Sequence, residues 1–103
     1  MARRGYFRHN LPADLSFGRR IARFYPIGRH RYWSVGENLL WSSAELNATA
    51  ALTLWLDSPK HSKVMLTARW REVGVSAVHV GSAPGVYGGR DVTIVTVDFG
   101  VRR

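Results

Sequence analysis

The last third of the chain sets the terms for the fold. Residues 92–99, Val-Thr-Ile-Val-Thr-Val-Asp-Phe, place β-branched or aromatic side chains at nearly every position. Such density predicts a strand buried in part on both faces, as when helices cover a sheet. Val73 to Val80 reads as a second strand, and Gly81 to Gly89 as a turn-rich connection. With one connection between two strands, an antiparallel hairpin is the simplest topology. Two strands alone make a poor sheet, so either the middle of the chain adds an edge or something is missing upstream.

The first two thirds read differently. Asn10 to Asp14 contains Pro12 and is expected to be a loop. Ser16 is a candidate N-cap for a short helix through about Phe24, with Phe17, Ile21 and Phe24 on one side and Arg19, Arg20 and Arg23 over much of the rest. Pro26 and Gly28 end it. Residues 27–42 hold Tyr32, Trp33 and Trp41 but no regular pattern, and are expected to be mostly irregular. Ser43 is a candidate cap for a helix over Ala44 to Asp57, with Ala51, Leu54 and Trp55 on one side. Ser58-Pro59 stops that helix, because a residue before proline is pushed out of the helical region. A short helix over His61 to Leu66 then buries Val64 or Met65. The expected class is α+β, a single domain over 1–103 with two or three helices layered on an antiparallel sheet.

Charge narrows the partners without choosing one. The chain carries a net charge of +8, and residues 1–31 hold eight arginines against the single acid Asp14. Such a field attracts nucleic acid, anionic lipid or an acidic surface polymer, or is simply a solvated basic face. No cysteine is present, which excludes disulfides, thiolate ligands and a cysteine nucleophile. The longest strongly apolar stretch, Ala48 to Leu56, is too short to span a membrane. Met1-Ala2-Arg3-Arg4 is basic, but no apolar run follows it, so no secretory signal is visible and the chain reads as cytoplasmic or as a piece of something longer.

Three separated segments hold the plausible chemistry: Tyr6-Phe7-Arg8-His9, Gly36-Glu37-Asn38-Leu39 and Ser58-Pro59-Lys60-His61. Each histidine taken alone is more often a structural hydrogen-bonding residue. His61 gains interest near the start of a short helix, whose positive end lowers its pKa. A glutamate in an aromatic-rich segment either faces solvent or has a partner, and the candidate partners of Glu37 are His9 and His61. Two imidazoles and a carboxylate suit zinc or another divalent ion, and equally suit a hydrogen-bonded cluster without metal. Glu72, before the first strand, is a further candidate, or else a charge at a strand mouth paired with Arg69 or Arg71. Ser34, Ser58 and Ser62 lie in no nucleophile-elbow pattern, so no catalytic residue is assigned.

These residues, in this order, resemble the CAP superfamily (cysteine-rich secretory proteins, antigen 5 and pathogenesis-related 1; SCP-like) in its disulfide-free bacterial branch. The resemblance rests on Tyr6-Phe7-Arg8-His9, Gly36-Glu37-Asn38-Leu39, Trp55-Leu56-Asp57-Ser58-Pro59-Lys60-His61, Glu72-Val73-Gly74-Val75 and Asp98-Phe99-Gly100. It implies an α/β/α sandwich with an antiparallel sheet and a central cleft holding His9, Glu37 and His61, with His9 and His61 as metal-binding candidates. Ser58 stands where animal and plant members carry a second glutamate, and Glu72 is the residue that could compensate. The family's long first helix would lie upstream of Met1, which implies an N-terminally truncated domain with an exposed apolar sheet face. The functional expectation is an extracellular or cell-envelope binding module for a small ligand or divalent ion. Its implied partners are an anionic surface polymer or lipid, or a small hydrophobic molecule. Two alternatives are a metal-dependent hydrolase of peptide or cell-wall substrate and, ranked last for want of a nucleic-acid-binding motif, a basic nucleic-acid binder.

Overall fold

The computed structural model describes residues 1–5, 7–9, 17–43 and 46–103. Among them run helix α1 (Phe17–Ala22), strand β1 (Trp33–Ser42), helices α2 (Ala48–Leu56) and α3 (Pro59–Met65), and strands β2 (Glu72–Val80) and β3 (Val92–Arg102). Single 3-10 turns occupy Ala2–Arg4 and Gly85–Tyr87. This is a small α+β domain: an antiparallel sheet in the order β1-β3-β2, with helices packed against it.

The expected hairpin is present, and β3 is its central strand. The third strand comes from the middle of the chain. Residues 33–42, expected to be irregular, instead pair along their full length with β3. Gly36, Glu37 and Asn38 are poor strand formers, and pairing with a valine-rich neighbour overrides that local preference. Register aligns Glu37 with Asp98 and Gly74, and Asn38 with Val97 and Val75.

Side chains alternate across a strand, so register also sorts the two faces. Leu40, Val95, Val97 and Phe99 share one face, which packs with Ala51 and Trp55 of α2 and Met65 of α3. Trp41, Val80, Val92 and Ile94 share the other, beneath Ala83, Tyr87 and Phe7. Tyr25, just past α1, lies on this second face so closely that a Cβ on Gly100 would stand 2.6 Å from its ring. Burying both faces of β3 is what its dense apolar sequence requires.

Indole N–H groups fasten the elements together. Trp55 donates to the carbonyl of Leu39 at 3.1 Å, tying α2 to β1. Trp33 donates to Tyr25 at 2.7 Å, and Trp70 to Val64 at 2.7 Å. Each bond satisfies a polar atom on an otherwise apolar side chain.

Several helix boundaries and packing expectations are corrected: the first helix ends at Ala22 and leaves Phe24 exposed, and α3 half-buries Val64 and Met65 without fully burying either. The second helix begins at Ala48, because Asn47 caps it: the Asn47 side chain accepts from the Ala50 amide at 2.8 Å. Ala44 and Glu45 lie outside the described residues, as do Asn10 to Ser16 with their expected loop and cap, and Tyr6. Leu54 is exposed, since only the Ala51–Trp55 stripe meets the sheet. The third helix starts earlier than expected, at Pro59, whose fixed φ suits the first helical position.

Candidate functional site

Glu37 organises the site. Its side chain is fully buried, 0% exposed, and cannot stay charged there without partners. His9 Nδ1 lies 3.1 Å from Oε1, and the Arg20 guanidinium binds Oε2 closely. Arg20 also reaches the carbonyl of His9 at 3.5 Å and stands 4.0 Å from Asp98 Oδ2. Asp98 is the register partner of Glu37 on β3, so two carboxyl groups sit side by side on one face of the sheet.

Two carboxylates that close are not both ionised cheaply. Burial pushes the Asp98 carboxyl up to about 7, and a hydrogen bond to Glu37 with the repulsion of its charge adds to the shift, against the pull of Arg20 and His9. Near neutral pH the Asp98 carboxyl therefore keeps a proton part of the time beside the Glu37 carboxyl.

The histidines are held differently. His61 Nδ1 is 2.8 Å from Ser58 Oγ, while the His61 carbonyl accepts from the Asn38 side-chain amide at 3.1 Å. Ser58 therefore orients His61 instead of capping α3. His9 lies 5.7 Å, centroid to centroid, from the Phe17 ring. Burial holds both imidazoles below their ordinary pKa, helped at His9 by Lys60 and Arg20, and at His61 by His9 and Lys60. Because His9 is neutral, its contact with Glu37 is a hydrogen bond with Nδ1–H as donor, which leaves the Nε2 lone pair as acceptor.

His9, Glu37 and His61 line one cleft of about 420 Å³, which passes over β1. Its opposite wall comes from Lys60, Lys63 and Val64 of α3, with Arg69 and Trp70 beyond. Trp70 fits there because residue 36 is glycine: a Cβ would come within 2.8 Å of its ring. Three segments far apart in sequence thus meet across one strand.

Glu72 lies elsewhere. It accepts from the Tyr25 hydroxyl at 2.6 Å, stands 3.7 Å from Arg102 Nε, and lines a second cavity of about 270 Å³ with Ile21, Phe24, Val73 and Phe99. Arg20 and Asp98 also line this cavity, so the charge cluster is the wall between the two spaces.

Among the described residues no group of three or more His, Asp or Glu side chains is placed to hold a metal. His9 and His61 each retain Nε2, but both oxygens of Glu37 are engaged by His9 and Arg20. Two imidazoles are an incomplete ligand set for zinc.

Arg20 and Asp98 complete the charge cluster around Glu37 and were not among the site residues singled out in the sequence. The signal for Arg20 was present: with Phe17 and Ile21 it falls at i, i+3 and i+4, so it lies on the same side of α1 as the buried Ile21. For Asp98 the signal was a lone acid within a doubly buried strand. Comparison with family models, with curated proteins and with solved structures yields no match to this chain.

Proposed function

We propose that this chain is a CAP-like binding module of the extracellular or cell-envelope kind, whose working site is the cleft over β1. The observation that carries the reading is the convergence of His9, Glu37 and His61 on one cleft. The resemblance described above rests on the same residues. Its finer fold, an α/β/α sandwich, is supported by the placement of α2 and Tyr25 on opposite faces of the sheet.

Binding is favoured over hydrolysis because the cleft offers imidazoles and an arginine-neutralised carboxylate, with no complete nucleophile, base and orienting group among the described residues. The Ser58 hydroxyl bonds His61 Nδ1, but among the described residues no third side chain is hydrogen-bonded to that imidazole. The small hydrophobic ligand that the resemblance implies finds its apolar lining in the second cavity, at Ile21, Phe24, Val73 and Phe99.

The test is a ligand titration followed by NMR on the intact chain, with zinc, a fatty acid and an anionic glycan as separate probes. The reading predicts that at least one probe perturbs the His9 and His61 ring signals and loses affinity in His61→Ala. Peptide or glycan turnover abolished by His61→Ala would replace binding with catalysis.

A further inference from the structure

We infer that the cleft over β1 is an anion site, taking a ligand whose oxyanion groups sit against Lys60, Lys63 and Arg69. The inference rests on the reading of this cleft as the binding site and names the chemistry of its occupant.

Lys60 and Lys63 are the only lysines in the chain, and both line the cleft. They lie three residues apart on α3, a spacing that puts two side chains on one helical face. Arg69 joins them from the connection to β2, its guanidinium 4.7 Å from the centroid of the Trp70 ring. Among the described residues no carboxylate lies within ion-pairing distance of these three cations. Among the described residues the one carboxylate lining the cleft is Glu37, and Arg20 already neutralises it. Among the described residues three positive charges therefore face the cleft without a carboxylate to pair them.

Their field reaches the floor. Lys60 contributes to lowering the pKa of both His9 and His61, so a positive charge placed between the rings is repelled as a proton is. A divalent cation meets the same repulsion and finds only two imidazole nitrogens. An anion meets the opposite field, and Lys ammonium groups suit phosphate, sulfate or carboxylate as point charges. The expectation that charge alone draws anionic partners to the arginines of residues 1–31 is thereby relocated to α3 and the α3–β2 connection.

The test titrates the intact protein with sodium tripolyphosphate, citrate and zinc separately, reading the ring signals of the four histidines. Tripolyphosphate is expected to move His9 and His61 and not His30 or His79. Citrate with a similar midpoint marks a general oxyanion site; a response to tripolyphosphate alone marks a phosphate site. The Lys60→Gln, Lys63→Gln double variant should bind about tenfold more weakly, as the loss of two solvent-exposed charge contacts implies. The corresponding double arginine variant should bind as wild type does, and Arg29→Gln, at an exposed position outside the cleft, should change the midpoint less than twofold. Tripolyphosphate binding that leaves the His9 and His61 signals still, or that survives the glutamine pair, overturns the inference. Rings that respond to zinc but to neither anion overturn it while sparing the cleft as a site. Rings that respond to no probe remove both.

Discussion

Glu37 has no access to solvent, so its charge depends on what the fold supplies. Arg20 supplies most of it, and removing one partner of such a pair leaves the other uncompensated. Glu37→Gln is expected to cost about 3 kcal/mol of unfolding free energy in urea, with a similar loss in Arg20→Met. The Asp98 carboxyl carries a pH signature. Its folded pKa of about 7 lies above the ordinary 3.8, so between those values the unfolded chain has released a proton that the folded chain keeps. Stability from this group is complete below about pH 4, falls as pH rises, and levels off above about 7. His9 and His61 act in the opposite direction, since their lowered pKa values make the unfolded chain the better proton binder below 6.5. The difference between wild type and Asp98→Asn isolates the carboxyl: the variant should gain stability relative to wild type from pH 4 to pH 7 in thermal melts. His9, Glu37 and His61 were legible because each sits in a short polar segment set off by aromatic, glycine or proline residues. Arg20 and Asp98 were not assigned to the site, since one was counted with its basic neighbours and the other was read only within the Asp98-Phe99-Gly100 segment.

At the scale of elements, the most consequential departure from sequence is β1. Its centre, Gly36-Glu37-Asn38, lacks both strand propensity and clean alternation, because Glu37 and Asn38 are buried on opposite faces for different reasons. Glu37 meets Arg20 and His9, while Asn38 meets the backbone of α3 at His61. A polar residue buried on each side leaves no period for a sequence reading to detect. The hairpin and the helix stop at Ser58-Pro59 were legible, because valine density and the pre-proline restriction are local properties. Two variants probe the joints. Asn47→Ala should destabilise by about 1 kcal/mol, the ordinary cost of a lost N-cap. Gly36→Ala places a methyl against Trp70 and should displace that ring from the cleft wall, visible as a shifted tryptophan fluorescence maximum and altered His61 signals.

At the scale of the molecule, stability and function are unevenly distributed. The two core clusters gather around β1, β3 and α2, whereas β2 is exposed over almost its whole length, with Val75 70% exposed. Val75→Thr should therefore change the unfolding free energy by less than about 0.5 kcal/mol, while Val97→Ala, in the core beside Trp55, should cost about 2 kcal/mol. An apolar edge strand of this kind also invites pairing with other chains, and Val75→Lys should reduce light scattering at high protein concentration. Among the described residues no helix is long and apolar enough to cross a membrane. The proposed function depends on the cleft bringing His9 and His61 close enough to sense each other. The direct measurement is the NMR titration of both rings in wild type, His9→Gln and Lys60→Gln. Both histidines should titrate below 6.5 in wild type, His9→Gln should raise the His61 value, and Lys60→Gln should raise both. A His61 that titrates at its ordinary value and is indifferent to His9→Gln would contradict the shared cleft.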